Sequence, residues 1–433
     1  MHRPGSSLDE KGLNYNGDAG GHLSASHARP GATLLLASKK ASDDGQVRLA
    51  GREYYSEEGK TFELRLTGKI KQQLSSDPTL RPEFPSSLGL TQFIHRATEA
   101  ALGKTCPAIM ENRVLGVQTP GFTAAVRLGA ELLKHWHEAS IAWFGPVYFS
   151  APCDDSLPDI FQAAGIRDVS QYHYWDAEQR GICLEKLLED LERAPEQSVV
   201  VLSASAHCPT GADLSRSQWA ALAQLMRRRG LLPFLLLPTQ ALCTGDAERD
   251  AWPVRYCASQ GMELVCAQSF SHCFGLYGEA VGHLLCVLRR GSPSLAVRRR
   301  ADRTVRSLWA QPSGGGAHVV ASVLSNPAHL AEWQEEVKRI VERCRLIREV
   351  LRARLRLLGT PGCWDHLTQQ RGLYCCTGLN GQQVDFLSQR RHVYLLPSGF
   401  LNVSAINGRN LEYIAESIHL AVTTCDPVAS ISV

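Results

Sequence analysis

Between Lys186 and Lys338 the chain contains no lysine. That absence excludes any reaction needing a side-chain primary amine from the middle of the sequence, because no other residue can form an imine with an aldehyde. An excess of one charge is missing too. With 46 basic residues against 43 acidic ones, the formal net charge is only +3, and there is no global electrostatic case for nucleic acid or an anionic membrane. The runs Arg227 to Arg229 and Arg298 to Arg300 read as solvated helix surface. No window approaches the ~20 apolar residues of a membrane span.

The first 31 residues are polar and rich in Gly, Ser and His, without the apolar run of about 7 to 15 residues that a secretory signal needs. Asp9 and Glu10 argue against a mitochondrial presequence. These features predict a cytoplasmic protein with a disordered tail over residues 1–31. Fourteen cysteines in 433 residues are too sparse for a small disulfide scaffold, and several lie in apolar runs such as Leu264 to Ala267 and Leu284 to Val287. Buried free thiols in a reducing compartment fit this pattern. Cys375 and Cys376 are adjacent, and Cys363 with His366 is a lone C-x-x-H. Neither has the four-ligand spacing of a zinc centre, so no metal is expected.

What the chain does have is a globular composition, 44% hydrophobic and 21% charged, on a length that suits two domains. Short apolar runs at Ile141 to Phe149, Val199 to Ala204, Leu231 to Leu237, Met262 to Cys266 and His283 to Leu288 read as buried strands. They alternate with helical patterns, which predicts an α/β fold with a largely parallel sheet covered on both faces. Over Ser215 to Arg229, Trp219, Leu222, Leu225 and Met226 repeat at helical spacing, and Gly230 supplies a stop. A longer amphipathic helix runs through Trp333, Val337, Ile340, Cys344, Ile347, Leu351, Leu355 and Leu358, between Asn326-Pro327 and Gly359. Its position after the glycine-rich Ser313 to Ala317 suggests that it joins a second, smaller domain.

Two segments carry a specific resemblance. Ala267-Gln-Ser-Phe-Ser-His-Cys-Phe-Gly-Leu-Tyr-Gly-Glu-Ala-Val-Gly282 closely resembles the cofactor-lysine segment of the cytosolic aspartate aminotransferases, with His272 where that family has lysine. Ala206-His-Cys-Pro-Thr-Gly211 resembles the family's AHNPTG turn, with Cys208 in place of asparagine. The similarity runs from about Tyr54 to Ala421 and includes Gln171 to Gly181, Asp250 to Tyr256 and His392 to Gly399. It implies pyridoxal phosphate fold type I: a large domain (residues 62–338) with a seven-stranded mixed sheet, and a small α/β domain built from residues 32–61 and 339–433. It further implies a homodimer with sites at the subunit interface.

By the same resemblance, nearly every chemical position is altered. His272 cannot form the internal aldimine. Leu236 stands at the aspartate that keeps the pyridine nitrogen protonated. Cys208 and Thr239 stand at the asparagine and tyrosine that hold the ring hydroxyl. Of the phosphate cup, Thr123, Ser269 and Ser271 match retained hydroxyls, while Ala280 stands at the arginine and Gly121-Phe122 at a Ser-Gly pair. Phe84 replaces the tyrosine sent by the neighbouring subunit, and Asp154 replaces the tryptophan stacked on the ring. Phe400 takes the place of the α-carboxylate arginine, whereas Arg306 matches the arginine for the distal carboxylate.

Truncating a buried charge partner commonly costs about 2 to 5 kcal/mol, and the partners represented by Leu236, Ala280 and Phe400 are all gone. The expectation is a non-catalytic homologue with weak or absent pyridoxal phosphate, acting by binding, with a dicarboxylate as a possible ligand of Arg306. Two enzyme readings stand beside it: residual transamination or racemisation of aspartate and glutamate, and a Cys208–His272 nucleophilic pair with His207 and Cys273 alongside. Asp154 is the expected ion-pair partner of Arg306, and neither nucleic acid nor membrane is an expected partner.

Overall fold

The computed structural model describes residues 46–61, 64–80, 83–136, 143, 145–289, 294–396 and 399–425. The expected tail at 1–31 lies outside them. Seven strands form one sheet: β1 (Val114–Pro120), β2 (Val147–Ala151), β3 (Val169–His173), β4 (Val199–Ser203), β5 (Leu232–Leu237), β6 (Leu264–Ser269) and β7 (Val281–Val287), in the order β1-β7-β6-β5-β4-β2-β3. Only β7 runs against its neighbours β6 and β1; the remaining pairs are parallel. The mixed sheet is therefore as expected.

Every residue of β5, β6 and β7 is buried, and the alternation of side chains explains why uniformly apolar runs suit them. Leu235, Leu237, Leu264 and Cys266 enter the core on one face, packed with Trp219, Leu222 and Met226. Phe234, Leu236, Val265 and Ala267 enter the opposite core with Phe149, Phe161 and Val201. Phe234 meets Phe161 edge-on at 5.3 Å between ring centroids. Both faces are thus filled by the same short segments.

The strand bounds correct the sequence reading in places. The run assigned to Ile141 to Phe149 yields β2 at Val147–Ala151, with Ile141, Ala142 and Phe144 outside the described residues. β6 starts at Leu264 and extends to Ser269 rather than spanning Met262 to Cys266. β1 and β3 were not read as strands from their residues: β1 carries Gly116 and Pro120, and β3 carries Ser170, Gln171 and His173, so neither shows an unbroken apolar run.

The helices follow their end signals. α1 (Phe122–Leu133) starts directly after β1. α2 (Arg216–Arg229) begins at a capping box of Ser215 and Gln218 and stops at Gly230, which is left-handed with φ 61°. After α3 (Ser294–Leu308), the glycine-rich run opens α4 (Gly315–Ser325), and Ala317 is buried. α5 (Pro327–Leu357) is capped by Asn326 Oδ1, which accepts from the Ala328 and His329 amides. It buries Trp333, Val337, Ile340, Cys344, Ile347, Leu351 and Leu355 along one stripe.

That stripe belongs to a third core drawn from both ends of the described chain, including Leu49, Tyr54, Leu66, Val393, Leu401 and Ile414. Val47–Arg48 pairs in parallel with Val393–Tyr394, and β8 (Tyr374–Cys376) pairs with β9 (Phe400–Asn402). The two ends fold as one body because each supplies half of an apolar surface that the other covers. No helix among the described residues is long and apolar enough to cross a membrane.

Candidate functional site

The parallel strands all end on one edge, and there the altered positions collect. Asp154 follows β2, Cys208 follows β4, Leu236 and Thr239 lie at and just beyond the end of β5, and Ser271 and His272 follow β6. β1 delivers Gly121, Phe122 and Thr123 to this edge, and β7, running the other way, begins there after Ala280. In sheets of this kind the carboxyl ends of the strands form the crevice where ligands sit. Gly282 is needed for the closure, since a Cβ there would lie 2.3 Å from the Gly121 carbonyl oxygen.

His272 is engaged in a specific way. Its Nε2 lies 3.0 Å from the backbone oxygen of Arg52. A carbonyl only accepts, so Nε2 carries the proton and Nδ1 is left as a bare acceptor. Nδ1 is buried without a partner. Burial holds the imidazole below its ordinary pKa, keeping it neutral. The residue in the lysine position thus fastens the segment Gly51 to Tyr55 over the crevice. Tyr374 on β8 donates to the same oxygen at 3.4 Å, Asn402 on β9 donates to the Gly51 and Glu53 carbonyls, and the Tyr54 amide donates to Tyr277.

Cys208 is partly buried, and burial pushes its thiol up to about 12. No hydrogen bond joins it to His272 among the described residues. The neighbours proposed to assist are directed elsewhere. Cys273 is buried, with its thiol toward the Ser269 carbonyl at 3.9 Å. His207 stacks on Tyr174 at 4.0 Å and is held between Thr210 and Ser150, at 2.8 and 2.9 Å. A thiolate pair is therefore not assembled among the described residues, because burial opposes the anion and no hydrogen bond links the thiol to the imidazole.

Leu236 is 5% exposed and packed in the apolar core beneath the edge. It offers no hydrogen bond where the resemblance requires a carboxylate. Thr239 and Ser269 are buried, Ser269 Oγ accepting from the Ser271 amide at 3.2 Å. Thr123 is exposed in the first turn of α1, Phe122 is half-buried beside it, and Ala280 is exposed at φ 48°. The Cβ of Ala280 approaches Gly121. A methyl therefore stands where the resemblance implies a cation. Phe400 is buried in β9.

The remaining residues face outward. Phe84 is 89% exposed. Arg306 on α3 pairs with Asp302 one turn earlier at 3.1 Å and is otherwise exposed. Asp154 turns its carboxylate to the Ser156 amide and hydroxyl, at 2.9 and 2.6 Å. The expected Arg306–Asp154 pair is not made within the chain. An i,i+4 carboxylate is already beside the guanidinium, and a local turn satisfies the aspartate. No metal-holding cluster of His, Cys, Asp and Glu occurs among the described residues.

Three residues of this corner escaped the sequence reading: Arg52, Tyr374 and Asn402. Arg52 is one of 46 basic residues, and no spacing singles it out. Its place over the crevice follows from pairing between segments more than 200 residues apart in sequence.

Comparison with known proteins agrees with this geometry. Residues 45–418 match the family model for aminotransferase class I and II. A cytoplasmic aspartate aminotransferase from Gallus gallus is 41% identical over 92% of this chain and 97% of its own length. Its Caenorhabditis elegans counterpart is 37% identical over 86% of this chain and 90% of its own length. An aromatic-amino-acid aminotransferase from Burkholderia pseudomallei, solved covalently bound to pyridoxal phosphate, superposes with TM-score 0.87 at 29% identity, covering 93% of this chain and 98% of that one. The fold is that of the fold type I aminotransferases.

Proposed function

The chain belongs to the class I and II aminotransferase family, and from that premise we propose that it is a non-catalytic member, acting by binding rather than by transamination. One observation carries the reading. The residue in the lysine position is an imidazole, which cannot form an imine, and its donor nitrogen is already committed to a backbone carbonyl. The absence of any lysine from 187 to 337 leaves no substitute nearby in sequence.

The surrounding residues support the same reading. Pyridoxal phosphate acts as an electron sink when its ring nitrogen stays protonated, and Leu236, buried among apolar side chains, gives that charge no partner. Ala280 and Phe122 remove a cation and crowd the helix start where a phosphate would lie. These residues do not fit the cofactor, and covalent retention is not proposed.

We further propose that the protein is a cytoplasmic homodimer. The 89% exposure of Phe84 and the outward Arg306 fit a surface that another copy covers. Light scattering should give about twice 47.5 kDa; a monomer at micromolar concentration would contradict the dimer. The central test is an absorbance scan and a coupled assay of purified protein with pyridoxal phosphate, aspartate and 2-oxoglutarate. No yellow imine band and no turnover above blank are expected. A band with turnover that disappears in His272→Ala would overturn the proposal.

A further inference from the structure

We propose that the cavity between the start of α2 and the helix Trp252–Ser259 is a binding site for a small phosphomonoester. The site goes beyond the non-catalytic reading and does not depend on it. The cavity holds about 240 Å³ and lies apart from the crevice. Ala204, Leu214 and Trp219 on its wall belong to the core beneath α2, whereas Leu236 enters the core on the other face of the sheet. None of Cys208, Thr239, Ser271 and His272 lines it.

Three arginines line this cavity: Arg216, Arg249 and Arg371. All are exposed, and no side-chain hydrogen bond or ion pair engages them among the described residues. They come from three separate parts of the chain. The guanidinium carbon of Arg216 lies 5.1 Å above the ring of Trp252, which itself stacks on Tyr256 at 4.8 Å. The Arg371 amide donates to the Gly211 carbonyl at 2.8 Å, and the Arg249 amide donates to Asp246 Oδ1 at 3.1 Å. The first turn of α2 adds to these charges. Ser215 Oγ takes the Gln218 amide, which leaves the Arg216 and Ser217 amides without a partner inside the helix, at the positive end of its dipole. Ser205 also lines the cavity; it is 4% exposed, and its hydroxyl has no hydrogen-bond partner among the described residues. A buried hydroxyl left unbonded is a donor in want of an acceptor.

Two carboxyls share the wall, and both are occupied. Asp213 accepts from the Ala206 and His207 amides, each at 3.0 Å, and from the Cys243 thiol at 3.1 Å. Asp250 accepts from the Cys243 and Thr244 amides at 3.0 and 3.1 Å and from the Thr244 hydroxyl. Burial raises both carboxyls, Asp250 to about 7, which weakens their opposition to an anion. Three cations thus stand against two carboxyls that are already bonded. A guanidinium presents paired N–H donors, and a phosphomonoester offers three terminal oxygens and close to two charges, against the two oxygens and single charge of a carboxylate. Three arginines, a helix start and an unbonded hydroxyl match the phosphate. The cavity falls just below the ~300 to 1,000 Å³ of pockets for drug-sized ligands, so the rest of the molecule is small.

The test is calorimetric titration of the full chain at low salt with glycerol 3-phosphate, glycerol and succinate. Saturable binding of glycerol 3-phosphate is expected, at least about tenfold weaker in Arg371→Gln and in Arg249→Gln, partly kept in Arg371→Lys, and absent for glycerol. Ser271→Ala, a change in the crevice, should leave the affinity as it is. Unchanged melting temperatures without ligand establish that the variants are folded. No binding of glycerol 3-phosphate, binding that keeps its strength in both arginine-to-glutamine variants, binding lost in Ser271→Ala, or tighter binding of succinate would each overturn the proposal. Aspartate turnover is no part of this readout, so the cavity and the non-catalytic reading stand or fall separately.

Discussion

The interior of β5 and its carboxyl end lie within a few residues of each other and have been shaped by different constraints. Phe234 and Leu235 fill opposite cores with no exposure, as any buried parallel strand must. Leu236 and Thr239, where the strand meets the crevice, have apolar or weakly polar side chains at positions where the family resemblance calls for an acid and a phenol. β6 repeats the contrast, with Val265 and Cys266 fully buried and His272 fastened to a distant carbonyl. Packing density sets the strand interiors, whereas a handful of groups set the chemistry at the ends. The second can change while the first is kept.

The sharpest way to break this comparison is to restore the lysine alone. His272→Lys is expected to remain at least about a thousandfold below the typical enzyme turnover of roughly 10 s⁻¹, because Leu236, Ala280 and Phe400 are unchanged; steady-state transamination is the measurement. A near-normal rate would show that one edge position governs the whole site. Next is the strand interior. Phe234→Ala should lose about 3 to 5 kcal/mol through the cavity it leaves against Phe161, read as a fall in the urea midpoint. Cys208→Asn at the edge should change stability by less than about 1 kcal/mol.

A pH series separates buried from edge groups more finely. Burial pushes His207 and His283 from the ordinary 6.5 down to about 3. Between those values the unfolded chain takes up protons that the folded chain refuses, so stability falls as pH drops from 6.5 toward 3. Asp250 acts in the opposite sense: burial raises its carboxyl from 3.8 to about 7, so its contribution falls as pH rises through that window. His272 and His366 act with the two histidines and Asp213 with Asp250, so a single histidine is removed to isolate its share. His283→Gln should therefore flatten the dependence of the urea midpoint between pH 6.5 and 4; an unchanged slope would refute the assignment.

A small, local effect is expected at the clamp. His272→Ala should cost about 1 kcal/mol by removing one hydrogen bond to the Arg52 carbonyl. Hydrogen exchange should quicken at the Tyr54 amide while β5 stays protected. Uniform quickening across the sheet would mean that His272 supports the fold and not just the segment above it.

The amino-acid sequence by itself determined the strands whose apolar runs are unbroken and the ends of α2 and α5. These rest on local physics: apolar burial on both faces, an Asn or Ser cap, a glycine that adopts a left-handed turn. It did not reveal β1 and β3, whose polar and glycine residues are buried or paired only because neighbouring strands arrive beside them. Nor did it show what His272 does. An imidazole in sequence is equally a base, a nucleophile's partner or filler. Its role was decided by a carbonyl 220 residues away, brought within 3.0 Å when the two chain ends closed into one core. The same closure set the Arg52 backbone against Tyr374 and Asn402, because hydrogen bonds depend on distances that only the folded chain fixes.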